Sequence, residues 1–366
     1  ESSVFANDDE VGRIEGLHMK IILSDNRPVQ KKYNAVPRPL YTELRAYIED
    51  LINRNFIVKS QSAYSSPVVA VRKKNGELRL CCDFRELNKR TIPDKHPLPR
   101  VQDAIDGLCG KSWFSLLDQS RAYHQGFIHF ESRPYTAFAT PFGLYEWVRI
   151  PFGLCNAPAQ FQRYMETCID GMDGDFVMPY LDDLLVFSSS FEDHVKHVQS
   201  VLQRLKAHGI KLKANKCQLF KRQVTYLGRV ITKDGYLMDP GNISAVMKLK
   251  SEIPKTVGDL RRVLGLVGHF RRFVPNFAQK ACVLFQLLEK QSSPAVSSTS
   301  KPNRKRNNQL PSSTSIRWTT EHQQALNLLL DAITQDPILA YPDFSLPFIL
   351  HTDASQQGLG AVLYQK

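Results

Sequence analysis

The sequence lacks the features that define several classes of protein. No run approaches the roughly 18 apolar residues of a membrane span. The first ten residues have neither a basic start nor an apolar core, so they do not resemble a signal peptide. None of the 7 cysteines forms a Cys-x-x-Cys pair, which excludes a disulfide framework and a zinc site of that type. A reducing compartment fits this cysteine usage best.

What the sequence does contain is a globular composition with an uneven distribution of charge. Its 366 residues are 42% hydrophobic and carry a net charge of +12, which fits two or three domains. Residues 196–317 hold 24 basic and 5 acidic residues, whereas residues 1–195 hold 23 and 26. A basic segment beside a near-neutral one favours a polyanionic partner over an ordinary basic surface.

The hydrophobic pattern predicts an α+β fold, because strands and helices interleave up to about residue 240 and helices dominate afterwards. The predicted helices are Pro39–Arg54, 158–172, 191–208, 241–249, 256–270, 276–289 and 320–334. The main predicted strands are 68–72, 78–82, 113–118, 136–140, 144–150, 176–180, 184–187, 224–231, 236–238, 348–352 and 359–364. Ser190 and Asp193 form a capping pattern before the third of these helices.

Two further segments lead to expectations of a simpler kind. Residues 291–315 hold eight Ser, three Pro and four basic residues, which predicts a flexible linker or a disordered insertion. His194 and His197 share one face of the predicted helix, but no carboxylate or cysteine completes a zinc set. We therefore expect these two histidines to be a surface pair.

The sharpest chemical signal is a set of carboxylates at the ends of apolar strands. Asp182 and Asp183 are adjacent between two such strands, and an exposed hairpin turn is the simple alternative explanation. Asp118 also ends an apolar strand. Three carboxylates that converge from two strands could hold two divalent cations about 3.5–4 Å apart, an arrangement that serves phosphoryl transfer. Mg²⁺ suits this task, because it binds through a few carboxylates and substrate phosphates.

Five motifs in order carry a family resemblance. The motifs are Arg79–Lys89, Leu117-Asp118 with Tyr123-His124-Gln125, Pro151–Pro158, Tyr180–Asp183 and Tyr226–Gly228. This series resembles the reverse transcriptases, most closely those of LTR retrotransposons of the Ty3/Gypsy type. The resemblance covers roughly residues 15–290, and a connection-like and RNase H-like piece follows it.

The resemblance implies a right-hand polymerase with fingers, palm and thumb, a partial connection and an incomplete RNase H-like hairpin. The implied segments are an extended lead-in at 1–35, fingers and palm at 36–240, a helical thumb at 241–290, the linker at 291–315, a connection-like piece at 316–345 and an RNase H-like start at 346–366.

The resemblance also implies a role for each matched residue. Asp118, Asp182 and Asp183 would hold two Mg²⁺ ions, with Mn²⁺ as a substitute. Tyr123 would exclude the 2′-hydroxyl of a ribonucleotide, although an ordinary core aromatic is the alternative. The other implied nucleotide-binding residues are Lys74 or its neighbour Lys73, Arg79, Phe152 and Gly153. A solvated hairpin tip is the alternative for the two lysines, and Arg121 receives no role.

Two groups of residues would hold nucleic acid. Tyr226, Leu227 and Gly228 match the primer grip, which places the primer 3′-hydroxyl near the metals. In the thumb, basic residues alternate with apolar ones at helical spacing, which suits a helix on a duplex backbone; a helix with a solvated face is the alternative. These basic residues are Arg261, Arg262, Arg271 and Arg272.

The last residues resemble the first hairpin of an RNase H domain, and Asp353 matches its first metal-binding acid. RNase H chemistry needs several carboxylates, so no such activity is expected of this chain. The end of the sequence resembles a truncation within this domain, and its start resembles the interior of a longer polyprotein.

The resemblance implies an RNA-directed DNA polymerase that adds dNTPs to a primer 3′-hydroxyl. A catalytically silent nucleic-acid-binding or scaffold derivative is the alternative, and Tyr123 disfavours an RNA-synthesising enzyme. The implied partners are an RNA or DNA template with primer, dNTPs and the rest of a Gag-Pol-type polyprotein, as a monomer or a dimer. The implied location is the cytoplasm, in a virus-like particle, or the nucleus.

Overall fold

The computed structural model describes residues 2–7, 10–32, 36–72, 76, 78–172, 176–289, 310–335, 338–355 and 358–365. The chain forms two compact units, Glu1–Val224 and Thr225–Lys366. The finer boundaries expected from the resemblance, such as residue 240 between palm and thumb, stay predictions. In the described part of the chain, no helix has the length and apolarity needed to cross a bilayer.

The first unit mixes helices and strands. Its helices are α1 (Tyr41–Asn53), α2 (Arg85–Arg90), α3 (Val101–Asp106), α4 (Ala157–Cys168) and α5 (Phe191–Ala207). Its strands are β1 (His18–Met19), β2 (Ile57–Lys59), β3 (Ser66–Arg72), β4 (Leu78–Cys82), β5 (Trp113–Asp118), β6 (Phe127–Ile128), β7 (Phe138–Thr140), β8 (Gly143–Trp147), β9 (Val177–Tyr180), β10 (Asp183–Ser188) and β11 (Gln218–Lys221).

Two sheets organise this unit. One has the strand order β2-β8-β7-β3-β4, and the other has the order β11-β5-β10-β9 with antiparallel pairing throughout. Helices α4 and α5 pack on the second sheet. Its central strand β10 is buried from Leu184 to Ser188, because a strand covered on both faces needs a continuous apolar run rather than an alternating one.

The second unit is helical with short strands. Its helices are α6 (Pro240–Met247), α7 (Val257–His269), α8 (Phe277–Gln286) and α9 (Thr320–Thr334), and its strands are β12 (Val224–Tyr226, which starts at the unit boundary), β13 (Arg229–Ile231), β14 (Tyr236–Met238), β15 (Ile349–Ser355) and β16 (Gly358–Tyr364). Strands β12, β13 and β14 form one sheet, and β15 pairs with β16.

The predicted strand 224–231 is wrong as a single element. It divides into β12 and β13, because Leu227 and Gly228 between them have φ angles of +51° and +74°. This left-handed conformation ends a strand, and a leucine in the sequence gives no sign of it.

Helix α5 begins as the sequence predicts, since the Ser190 hydroxyl accepts a hydrogen bond from the Asp193 N–H at 3.1 Å. The expected surface position of His194 is wrong. This side chain is fully buried, with Nε2 at 2.8 Å from Ser115 Oγ and Nδ1 at 2.9 Å from Ser188 Oγ. Helical spacing places a residue on a face, but only the neighbouring sheet decides that this face is covered.

The linker prediction fails for its last six residues. Residues 291–309 lie outside the described part of the chain, but residues 310–315 run along the start of α7. The N–H groups of Val257 and Gly258 donate to the carbonyl oxygens of Thr314 and Ser312, both at 2.9 Å. The free N–H groups of the first helical turn therefore find their acceptors in this polar segment.

Candidate active site

The three predicted acids meet at one end of the β11-β5-β10-β9 sheet. Asp118 is the last residue of β5 and Asp183 is the first residue of β10, and the two lie directly opposite each other in the antiparallel pairing. Asp182 precedes Asp183 in the tight turn between β9 and β10. A hydrogen bond from Gln119 N–H to Asp182 O at 3.2 Å joins the end of β5 to this turn.

The turn itself is held by a residue that the sequence analysis missed. Leu181 has a left-handed φ of +55°, and its N–H donates to Oε1 of Gln162 at 2.8 Å. Gln162 lies on α4 and is fully buried. A glutamine in a helix carries no sequence signal for this role, because its partner comes from another element.

The electrostatics of the site follow from the convergence of like charges. Burial, together with the neighbouring charges of Asp182 and Asp118, raises the pKa of Asp183 to about 6. Lys216 acts in the opposite direction, since its Nζ lies 3.0 Å from Asp118 Oδ2. No motif in the sequence marks this lysine. An ammonium group at this carboxylate shows that the site favours a cation.

A cleft of about 650 Å³ opens beside the carboxylates. Asp118, Asp182, Arg121, Lys216, Phe152 and Gly153 are among the residues that line it. The left-handed φ of Arg121, at +49°, marks a strained residue at the cleft. A phosphate or a metal-bound ligand that entered this cleft would therefore meet both carboxylates and cationic side chains.

Tyr123 packs behind the exposed ring of Phe152. Its ring centroid lies 5.3 Å from that of Phe152 and 5.5 Å from that of Phe161, both in edge-to-face geometry. Burial, together with the charge of Asp182, raises the pKa of Tyr123 to about 12. The phenol is therefore neutral, and its ring is fixed between two aromatic side chains.

Gly153 follows Phe152 with a φ of +98°, a conformation that favours glycine. Asn88, from α2, fixes this loop: its Nδ2 donates to Gly153 O at 2.8 Å, and its Oδ1 accepts from Cys155 N–H at 3.0 Å. Two of the family motifs thus form one structure, which explains why an asparagine stands at this position of the first motif.

The expected phosphate-binding residues of the fingers are only partly described. Lys73 and Lys74 lie outside the described residues, and so does the side chain of Arg79. The backbone of Arg79 lies in β4 opposite Val71. Its role stays a prediction.

The expected nucleic-acid contacts lie in the second unit. Tyr226 is buried, and Leu227 and Gly228 form the turn after it. Arg271 and Arg272 are exposed, but they belong to a short 3₁₀ turn after α7 rather than to that helix. The expectation that the four arginines lie at regular helical spacing is therefore wrong, because α7 ends at His269.

The other two thumb arginines have partners within the chain. Arg261 donates from Nη2 to Leu310 O at 2.7 Å and from Nη1 to Ser312 Oγ at 3.0 Å. Arg262 lies 3.2 Å from Asp259.

Asp353, the expected RNase H acid, lies in β15 opposite Gly360. Among the described residues, no group of three or more acids, histidines and cysteines is arranged to hold a metal ion.

Comparison with known proteins gives this site its context. A family model described as "Reverse transcriptase (RNA-dependent DNA polymerase)" matches residues 71–231, and a model described as "RNase H-like domain found in reverse transcriptase" matches residues 318–366. The Pol polyprotein from transposon gypsy of Drosophila melanogaster is 33% identical over 348 residues, which is 93% of this chain and 32% of that protein. The chain belongs to the reverse transcriptase family.

Other relatives of this reverse transcriptase are also retrotransposon polyproteins, which places it in the Ty3/Gypsy type. The Pol polyprotein from transposon 297 of Drosophila melanogaster is 33% identical over 345 residues, covering 93% of this chain and 30% of that protein. The Tf2-3 polyprotein of Schizosaccharomyces pombe is 30% identical over 354 residues, covering 96% and 25%. The reverse transcriptase chain thus spans about a third or less of the length of these relatives.

Solved structures show the same fold. A foamy viral protease-reverse transcriptase in complex with dsDNA superposes with a TM-score of 0.83 at 23% identity, over 99% of this chain and 71% of that one. The same kind of protein in complex with an RNA/DNA hybrid gives a TM-score of 0.77 at 22% identity, over 99% and 48%. The expected right-hand fold of the reverse transcriptase, with an RNase H-like start, is confirmed.

Proposed function

We propose that this chain is an RNA-directed DNA polymerase that adds dNTPs to a primer 3′-hydroxyl on an RNA or DNA template. The observation that carries the proposal is the register of β5 against β10, which sets Asp118 directly opposite Asp183. Asp182 adjoins them at a cleft of about 650 Å³. Family membership supports a polymerase, and this geometry supports the reaction.

The residue types present suit Mg²⁺, although these three acids do not by themselves form a metal-binding group in the structure. Carboxylate oxygens are the ligands that Mg²⁺ prefers, and Lys216 already supplies a positive charge 3.0 Å from Asp118. Asp118, Asp182 and Asp183 would hold the ions. Once bound, two divalent ions activate the attacking hydroxyl and stabilise the leaving oxygen of an in-line transfer.

The chain's own side chains would orient the nucleotide. Phe152 offers an exposed ring at the cleft wall, and Tyr123 supports it from behind at 5.3 Å. We propose that this fixed pair takes the sugar of the incoming nucleotide and rejects a 2′-hydroxyl by steric exclusion. The phosphates of this nucleotide would pair with Lys73 and Lys74, whose ammonium groups are point charges. They would also pair with Arg79, whose planar guanidinium can bond two oxygens at once.

The proposed nucleic-acid partner is a template with a primer. Solved relatives were captured with dsDNA and with an RNA/DNA hybrid, and residues 196–317 of this chain carry the excess of basic residues. Arg262, Arg271 and Arg272 are the exposed members of the predicted thumb set, and Arg262 already pairs with Asp259. Such contacts hold the phosphate backbone without reading its sequence.

Primer extension with substituted acids tests the proposal. Asp182→Asn and Asp183→Asn each remove a metal-binding charge, so we expect dNTP incorporation to fall by about 100-fold or more, since metal ions supply several kcal/mol to such transition states. Asp103→Asn, at an exposed acid on α3, is the matched control and should keep full activity.

Two outcomes would contradict the proposal. Full activity in Asp182→Asn and Asp183→Asn would remove the metal assignment. Tight binding of a primer–template by the unsubstituted chain, without incorporation in either Mg²⁺ or Mn²⁺, would support the catalytically silent alternative.

A further inference from the structure

The turn that carries two of the acids contains a residue in a disfavoured conformation. Leu181 has a φ of +55°, a left-handed conformation that residues with a branched side chain seldom adopt. Such a conformation persists only where surrounding contacts hold it. Leu181 directly precedes Asp182 and Asp183, so the contacts that hold its backbone also fix the position of both carboxylates.

One buried side chain makes these contacts from two sides. Gln162, fully buried on α4, accepts the N–H of Leu181 through Oε1 at 2.8 Å. Its Nε2 donates to the carbonyl of Pro179 at 3.1 Å. The amide therefore joins the end of β9 to the middle of the turn.

The orientation of this amide is fixed by a third contact. Nε2 of Gln162 also donates to Oε1 of Glu166 at 2.9 Å, and the other oxygen of Glu166 lies 2.9 Å from Nε2 of His96. A reversed amide would set its NH₂ group against the N–H of Leu181 and its oxygen against two acceptors. The network thus leaves the amide one orientation.

We propose that Gln162 is a positioning residue that sets the divalent-cation affinity of Asp182 and Asp183 by holding Leu181 in its left-handed conformation. The inference rests on the proposed polymerase function. Gln162 lies behind the turn and acts through the backbone rather than through contact with substrate. Its loss lets the turn relax, and the two carboxylates then leave the arrangement opposite Asp118.

Gln162→Met tests the proposal, because methionine has a similar length but offers the Leu181 N–H only a weak sulfur acceptor in place of the amide oxygen. Mn²⁺ binding, measured by electron paramagnetic resonance with manganese chloride, should weaken by about tenfold or more, and kcat should fall by about 10–100-fold, as expected when reacting groups shift by about 1 Å. The KM for dNTP and the Kd for primer–template should change by less than about twofold relative to the unsubstituted chain. Gln162 acts through the backbone and not through contact with substrate, so its loss leaves substrate binding as it was.

Two further variants separate positioning from lost stability. Asparagine tolerates the left-handed region, so Leu181→Asn added to Gln162→Met should recover most of the Mn²⁺ affinity. Ser132→Ala removes another buried acceptor, which takes the Ile21 N–H at 3.0 Å. This control should leave Mn²⁺ affinity and kcat unchanged. In Asp183→Asn, the Mn²⁺ that still binds lies outside this site, so this variant gives the background signal.

Three results would overturn the inference: wild-type Mn²⁺ affinity in Gln162→Met, no recovery on adding Leu181→Asn, or an equal loss in Ser132→Ala. Failure of the proposed function has a different signature. If the unsubstituted chain incorporates no dNTP, the polymerase assignment fails, while the Mn²⁺ measurements still decide whether Gln162 holds the acids.

Discussion

At the scale of single residues, polar side chains that bond to other elements order the first unit, and two of them, Gln162 and His194, are fully buried. Asn88 holds the loop that carries Gly153, Gln162 holds the turn that carries Asp182, and His194 lies between two serines. Gln162 and His194 satisfy backbone or hydroxyl groups that would otherwise be buried without partners, which is costly. Residue types that usually lie on the surface therefore fix contacts between the elements of this unit.

His194 gives the fold a dependence on pH. Burial, with the charge of His197 adding to it, lowers the pKa of His194 to about 4, against about 6.5 in an unfolded chain. Between these values the unfolded chain binds a proton that the folded chain does not, so the free energy of unfolding falls as the pH falls. We expect this group to remove about 2 kcal/mol between about pH 7.5 and about pH 5.

Urea unfolding followed by circular dichroism checks this expectation. His194→Gln cannot titrate, so its stability should fall less than that of the unsubstituted chain over the same pH interval. His18→Gln, at an exposed histidine, should behave like the unsubstituted chain. An identical pH dependence in His194→Gln would contradict the assignment.

At the scale of secondary-structure elements, capping decides where helices begin. Ser190 starts α5 by a local hydrogen bond, as its sequence pattern predicts. Helix α7 also has a local cap, because the Thr256 side chain accepts the Asp259 N–H at 3.1 Å. Its Val257 and Gly258 N–H groups, however, depend on residues 310–315, more than fifty positions along the chain. The sequence shows the first kind of cap but not the second.

Two adjacent arginines test this second kind of cap. Arg261 clamps Leu310 and Ser312 to α7, whereas Arg262 is itself exposed and pairs with Asp259. Arg261→Ala should lower the free energy of unfolding by about 1–2 kcal/mol, since it removes hydrogen bonds from a charged donor. Arg262→Ala should have little effect, because exposed ion pairs contribute little.

Amide hydrogen exchange is the direct measurement for this pair. The Val257 and Gly258 amides should exchange faster in Arg261→Ala and at the normal rate in Arg262→Ala. Equal exchange rates in the two variants would show that residues 310–315 do not depend on this arginine.

At the scale of the whole molecule, the uneven charge predicts how the proposed template binding responds to salt. Binding that neutralises phosphates releases counterions, so the logarithm of affinity falls linearly with the logarithm of salt concentration. Arg272→Gln should reduce the magnitude of this slope by about 1, since each phosphate contact contributes about that much. Lys196→Gln on α5 makes the same charge change at an exposed site in the other unit, and it should leave the slope unchanged.

Fluorescence anisotropy of a labelled primer–template over a salt series gives these slopes. Equal slopes in Arg272→Gln, Lys196→Gln and the unsubstituted chain would remove Arg272 from the duplex interface. Equal reductions in both variants would indicate an effect of net charge rather than a contact.

The sequence alone determined the α+β class, the family, most helix positions and the three acids, because these follow from local periodicity and from motifs that are contiguous in the chain. The position at which β5 ends and the position of the turn before β10 could be predicted for the same reason. What only the tertiary structure decided is how distant residues meet: Asp118 opposite Asp183, Gln162 behind Leu181, Lys216 on Asp118 and the covered face of His194. These contacts join different elements, and packing rather than local pattern selects which side chains share a buried space.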